Sequence, residues 1–327
     1  MSSTSITGSL SALGRLSARI RGKSRVGRTS AGRRLSLGRQ LLLQLVLLFI
    51  AFTVLFPILW IFSLSLDPRD ISRPSELHLI PPGASVQAYQ AVIERPTNNP
   101  ISFASLALNS FRLSAGVAVV SVLVGVLAAY AFSRFQFRGR GALMVSVLTV
   151  LMLPAIATLP ALYVLLTRVQ ILDPETGKQI FNLRDSLWGV GLAIVSTQLP
   201  FAIWNLKGFL DTIPRELEEA ALIDGASTNT VFTRIILPLA VPALAVTGFL
   251  SFMGTWTEFA ISWQFLNQVK DHTLIMELYN MIGQYADNTP WSRFAAMAIL
   301  VALPVSVVYL SLQRYIVSGL TLGSVKG

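Results

Sequence analysis

Asp211-Thr212-Ile213-Pro214-Arg215-Glu216-Leu217-Glu218-Glu219-Ala220-Ala221-Leu222-Ile223-Asp224-Gly225-Ala226-Ser227 is a charged, amphipathic island between two long apolar stretches. It carries too much charge to cross a bilayer, so the pattern predicts a separate helix outside the membrane. Its limits are well marked. Pro214 suits a first turn, Glu216, Glu218 and Glu219 complement the positive end of the helix dipole, and Gly225 suits a left-handed stop. Leu217, Ala220, Ala221 and Asp224 recur at spacings of three and four, which gives a small, mildly apolar face with the glutamates pointing elsewhere. Ser227 suits the cap of a second helix running through Thr233, with an apolar stripe of Phe232, Ile235, Ile236 and Leu239, and Pro238 marks its join to the next apolar stretch. The loop 211–238 thus reads as helix, sharp turn and helix. An interfacial helix lying among lipid headgroups is the bland alternative. Such helices usually carry Lys and Arg on the polar face, whereas 214–225 has one Arg against three Glu and an Asp, so a protein partner fits better.

Outward from this island the chain reads as a membrane protein. Of its 327 residues 53% are hydrophobic and 13% charged, with a mean hydropathy of +0.62, against roughly 25% charged in soluble domains. A helix needs about 20 apolar residues to cross the hydrocarbon core. Six stretches qualify, at about 41–66, 110–133, 142–167, 187–209, 238–264 and 294–316. The expected fold class is therefore an all-α membrane protein of about six transmembrane helices. The first stretch, from Leu41-Leu42-Leu43, is too long for a signal-peptide core and lacks a small-residue cleavage site. Pro57, Pro154, Pro160, Pro200, Pro242 and Pro304 either kink these spans or mark their ends.

The net charge of +10 is concentrated at one end. Residues 1–39 hold Arg15, Arg19, Arg21, Lys23, Arg25, Arg28, Arg33, Arg34 and Arg39 and no acid, which reads as a basic disordered tail. A cytoplasmic arm on anionic lipid, an organelle transit peptide and a nucleic-acid or partner arm all fit its composition. Gly22-Lys23-Ser24 resembles the end of a phosphate loop, but Ser17 stands where that motif needs glycine, so ATP binding is rejected here. Basic residues near span ends are retained on the cytoplasmic side. An inside N-terminus then places the tail, Arg134, Arg138, Arg140, Lys207, Arg215, Arg234, Arg314 and Lys326 in the cytoplasm. Both termini are expected inside, with loops near 67–109, 168–186 and 265–293 outside. Cysteine is absent and only His78 and His272 occur, each away from any second His and from a His-x-x-x-His spacing, so no metal site and no catalytic residue is expected.

Glu219-Ala220-Ala221, Gly225 and, after nine further residues, Ile235, Leu237 and Pro238 resemble the EAA signature of permease subunits in binding-protein-dependent ABC importers. The ending from Leu312-Gln313-Arg314-Tyr315 to Lys326-Gly327, with Tyr130-Ala131-Phe132-Ser133-Arg134 and Trp256-Thr257-Glu258-Phe259, resembles the carbohydrate branch and its MalG-like group. The likeness covers roughly 40–327. It implies a type I ABC importer permease architecture in an inner (cell) membrane of a bacterium or archaeon. Glu219, Ala220, Ala221, Asp224, Gly225 and Pro238 would form a cytoplasmic coupling helix against an ATPase, and a C-terminal tail ending in Lys326 and Gly327 would reach the same partner. The implied partners are a second permease subunit in a heterodimeric pore, two ATP-binding cassette subunits, an extracytoplasmic sugar-binding protein and membrane lipids, with no nucleic acid. No cofactor is expected on this chain, and ATP and Mg²⁺ belong to the ATPase subunits. The implied cargo is a sugar, with maltose or maltooligosaccharides first and trehalose among the others.

Glu258 is the only acid inside a predicted span, and such groups normally face the bundle interior or a wet cavity. With Trp256 and Trp263 it forms a candidate sugar path, aromatic faces and a carboxylate matching a sugar's ring and hydroxyls. A structural pairing of Glu258 is the bland alternative. Tyr279, Gln284 and Tyr285 lie in a polar, aromatic external loop suited to contact with a binding protein. A competing function is an ion-coupled secondary transporter, although such carriers usually hold several intramembrane acids.

Overall fold

The structure, a computed structural model, describes residues 36–70, 79–172, 179–282 and 289–322. The chain divides into two compact units at Pro57, inside α1 (Leu37–Ser65). In the first unit, residues 37–57 are a continuous apolar helix whose large side chains, from Leu41 to Leu55, are exposed.

Among its described residues the second unit is helical apart from one short ribbon. After the end of α1 come α2 (Gln87–Glu94), α3 (Phe103–Arg134), α4 (Arg140–Leu151) and α5 (Ala155–Arg168). An antiparallel pair, β1 (Gln170–Leu172) and β2 (Gln179–Asn182), follows in the register Gln170 to Asn182. Then come α6 (Leu187–Leu210), α7 (Glu216–Ile223), α8 (Thr228–Val231), a π-helical turn (Phe232–Ile236) and α9 (Leu237–Trp256). The chain continues with α10 (Ala260–Phe265), a 3₁₀ turn (Val269–Asp271), α11 (Leu274–Asn280) and α12 (Trp291–Leu322).

Among the described residues five helices are long and apolar enough to cross a membrane, and a sixth span results if α4 and α5 count as one. Four of the expected spans appear with small shifts of their ends. Ser102 caps α3 by accepting from the Ser105 N–H, so that span starts about two turns before residue 110. Pro57, Pro160, Pro200, Pro242 and Pro304 all lie inside helices.

Two span expectations need correction. The stretch 142–167 is not one helix, because α4 and α5 meet at 108°. Pro154 causes the break: it has no N–H to continue the ladder and keeps Leu153 out of helical geometry, while Met152 and Leu153 close α4 with tight bonds to Thr149 and Val150. The stretch 238–264 is also interrupted, since α9 ends at Trp256 and α10 starts at Ala260. The Glu258 carboxylate ends it by accepting from the backbone N–H groups of Ile261 (2.5 Å) and Ser262 (3.0 Å) and from the Ser262 hydroxyl (2.7 Å). Those oxygens satisfy N–H groups that no earlier turn serves.

Three buried clusters hold the second unit together. One joins α3, α6, α8, the π turn and α9 through Val126, Tyr130, Leu206, Leu210, Val231, Ile236 and Ala240, with Ala221 of α7 packed against it. A second joins α2, α11 and α12 to the start of α3 and the end of α9. The third lies where α10 meets α3 and α6. Gly189 illustrates how close these approaches are: a Cβ there would stand 1.7 Å from the Leu183 carbonyl oxygen. Between α6 and α9 two amide–hydroxyl rungs cross the bundle, Gln198 Nε2 donating to Thr255 Oγ1 at 3.0 Å and Asn205 Nδ2 to Thr247 Oγ1 at 2.8 Å.

Candidate functional site

α7 forms where the charged island predicts a helix. Pro214 stands two residues before Glu216, and Arg215 accepts the first N–H groups, those of Glu218 and Glu219. The helix stops as its sequence requires. Gly225 has φ +88°, and the Ala226 N–H reaches back to the Ala221 carbonyl at 2.9 Å, a closure that needs a left-handed residue. Ser227 then caps α8 by accepting from the Thr230 N–H at 3.2 Å.

Beyond Ser227 the structure departs from the expected second helix and join. α8 passes through the π turn directly into α9, and Pro238 lies in the first turn of α9. Proline at 238 offers no N–H to Arg234 and its ring crowds that carbonyl. A wider turn, in which Leu237 donates to Phe232 five residues back, absorbs the conflict without breaking the helix.

Of the six expected coupling residues, Glu219, Ala220, Asp224, Gly225 and Pro238 are exposed and Ala221 is half-buried. Leu217, Leu222 and Ile223 are exposed too, Ile223 to 86%. The outward surface of α7 therefore mixes acids with exposed apolar side chains.

Glu218 points the other way. Its carboxylate is covered and accepts from the Tyr130 hydroxyl at 3.2 Å and from Arg134 Nε, with the Arg134 and Glu218 side chains 7% and 11% exposed. Arg134 also donates to the Ile213 carbonyl at 3.0 Å, and Arg215 to the Ser133 carbonyl at 3.0 Å. The Ser133 hydroxyl donates to Asp211 at 2.6 Å, and Lys207 reaches the other Asp211 oxygen at 2.5 Å. Burial alone would raise the Asp211 pKa. The bonds from Lys207 and Ser133 and the nearby charges of Lys207 and Arg134 outweigh it and hold this carboxyl below its ordinary value. Sequence reasoning treated Glu216, Glu218 and Glu219 alike and did not find this cluster.

The expected sugar-path residues separate. Trp256 is 3% exposed, stacks on Phe252 and donates its indole N–H to the Val301 carbonyl at 3.0 Å, so it belongs to the core. Glu258 is committed to capping α10. Trp263 and Tyr279 come together with Phe259 in a three-ring cluster with centroids 4.8–5.3 Å apart, and both are partly exposed. Gln284, Tyr285, Lys326 and Gly327 lie outside the described residues.

A second buried carboxylate also went unread. Glu277 in α11 is 0% exposed and accepts from Thr97 Oγ1 (2.5 Å), Asn99 Nδ2 (2.8 Å) and Asn280 Nδ2 (3.1 Å), with His272 Nδ1 at 2.6 Å. Burial pushes its pKa up, but those four hydrogen bonds push harder and leave it below the ordinary value. No local signal marks it, because Thr97 and Asn99 are about 180 residues away in sequence.

Five or six apolar spans with a short charged helix between two of them define a multi-pass membrane protein. The chain belongs to the family of binding-protein-dependent transport system inner membrane components, whose model matches residues 121–322. It is 35% identical over 84% of its length to the maltose/maltodextrin transport system permease protein MalG of Photorhabdus laumondii, covering 91% of that protein. It is 34% identical to the MalG of Escherichia coli K12, with 86% and 94% of the two chains covered. With the galactooligosaccharides transport system permease protein GanQ of Bacillus subtilis it shares 32%, over 86% and 94%. In fold it is similar to a chain of a bacterial ABC transporter that imports the acidic polysaccharide alginate, with TM-score 0.70, 22% identity, and 86% and 99% of the two chains covered. These comparisons give the secondary-transporter alternative no support.

Proposed function

We propose that this chain is one permease half of an ATP-driven importer that carries an oligosaccharide across the cell membrane. The observation that carries the reading is α7, a short helix stopped by Gly225, with an acidic and apolar outward face and its base bonded to the last turn of α3. In this reading α7 is the cytoplasmic coupling helix, seated in an ATPase subunit through Glu219, Ala220, Asp224 and neighbouring residues. Both termini lie in the cytoplasm, and the tail ending in Lys326 and Gly327 reaches the same partner. A related permease completes the pore, two ATPase subunits bind ATP and Mg²⁺, and a sugar-binding protein docks on the opposite side over residues 265–293.

The cargo reading rests on relatives named for maltodextrin and galactooligosaccharide transport and on the Phe259–Trp263–Tyr279 rings, whose faces suit the apolar face of a sugar. The test is to purify the complex from cells expressing this chain with its ATPase and binding protein. Its ATPase is then assayed with maltose, maltotriose, galactobiose and trehalose. Stimulation by one of these through the binding protein supports the reading. Uptake that needs no ATP, or purification free of any ATPase, would sink it.

A further inference from the structure

We propose that Glu218 is a positioning residue that makes α7 travel with α3, a helix that is not its neighbour along the chain. This inference rests on the reading of α7 as the ATPase-facing helix and adds how a displacement of α7 enters the membrane.

α7 is tied covalently to α6 through 211–215 and to α9 through 224–236. Yet the bonds that fix its base run to residues 130–134, some 80 positions earlier. Glu218 meets Tyr130 and Arg134, the same Arg134 holds the Ile213 carbonyl, Arg215 holds the Ser133 carbonyl, and Ser133 holds Asp211. Every residue of this set sits at the last turn of α3 or in the segment from Asp211 to the first turn of α7. The Arg134 guanidinium is bonded on three nitrogens, to Glu218, Ser133 and Ile213, so its fork has one orientation. Tyr130 is itself held between Phe135 and Phe232. By contrast, the onward connection from α7 runs through the left-handed Gly225 and a π turn, neither of which gains a comparable charged brace among the described residues.

Burial of an ion pair is weak evidence for stability, since apolar replacements are often as stable, but it fixes relative placement where it is fully bonded. Glu216 and Glu219 flank Glu218 and remain exposed. The three acids thus divide between an outward docking surface and an inward brace. A push on α7 is delivered to the end of α3 first.

This chain has no cysteine, so in a transporter complex whose partner subunits carry no reactive cysteine, spin labels at Leu127→Cys in α3 and Leu222→Cys in α7 report the α3–α7 distance, provided that the labelled complex still co-purifies with its ATPase. That distance is expected to stay constant between the nucleotide-free complex and the complex trapped with ATP and orthovanadate. A change approaching one helical turn, about 5 Å, overturns the proposal. In the series Tyr130→Phe, Glu218→Gln and Glu218→Ala the stimulation of ATPase by the binding protein is expected to fall progressively. For the last it drops about tenfold, a size typical of altered coupling, with the ATPase still co-purifying. Native stimulation across the series also overturns it. Should a Glu218 variant fail to accumulate, the label pair in the otherwise native chain decides. Ala220→Trp on the outward face separates the two readings. If it leaves ATPase association and stimulation intact, the docking role of α7 itself fails. If it disrupts them while the Glu218 series does nothing, only the brace is lost.

Discussion

Replacing Glu277 with alanine withdraws the acceptor shared by Thr97, Asn99, His272 and Asn280. The cost follows from where each donor is left. Asn280 is exposed and turns to water, Thr97 and Asn99 are half-buried, and His272 is buried. One stranded donor and two partly stranded ones at about 1–3 kcal/mol for a full loss give roughly 3 kcal/mol. For a chain of 327 residues that is a fall of about 4–5 °C in the thermal midpoint. Glu277→Gln keeps the volume and one acceptor oxygen and loses charge assistance, so about 1 kcal/mol is expected. The pH dependence separates charge from shape. The folded Glu277 carboxyl lies below its ordinary value of 4.5, so its ionisation stabilises the fold fully above about pH 4.5, and the contribution is lost as pH falls through the lowered folded value. The gap in midpoint between native chain and Glu277→Gln, measured by fluorescence unfolding in detergent from pH 7 to pH 3.5, should hold steady and then close below about pH 4.5. Asp211 is shared by both proteins and cancels. A gap that widens as pH falls, or an alanine variant as stable as the native chain, would refute the reasoning.

Gly225→Val forces a β-branched side chain into φ +88°, at about 1–2 kcal/mol or more, and is expected to tilt the end of α7 and weaken binding-protein-stimulated ATPase without loss from the membrane. Gly189→Ala places a methyl within 1.7 Å of the Leu183 carbonyl; the start of α6 has to move, and membrane levels should drop sharply in quantitative blots. Asn205→Leu removes one rung between α6 and α9, and since such bonds average about 0.6 kcal/mol in membranes, its thermal midpoint should fall by no more than about 3 °C.

What could be read from the sequence was local. The stop at Gly225 and the cap at Ser227 are written in adjacent residues, and the structure places both as expected. Hydropathy found the spans but ran through two breaks. At Pro154 the signal was present, though proline also occurs inside five intact helices here. At Glu258 the following Ala260–Phe265 is apolar enough to extend the span, and only the capping geometry shows that it does not. The direction of Glu218 was illegible because Glu216, Glu218 and Glu219 have the same polarity, and the choice belongs to Arg134, 84 residues away. Trp256 looked available beside an acid; the Val301 carbonyl that claims its N–H is 45 residues further on.

The π turn has a consequence for phase. Buried positions along 231–247 fall at Val231, Ile236, Ala240, Ala243 and Thr247, a spacing of five and then four, three and four. One surplus residue is taken up at the turn, and each residue of an α-helix is worth about 100° of rotation. Delete one residue within 232–236 and the ladder becomes regular, but α8 and the end of α7 then swing about a quarter of a circle around the axis of α9. The turn acts as a gear tooth that sets which way the projecting helix faces, so single-residue insertions and deletions there should be far less tolerated than substitutions.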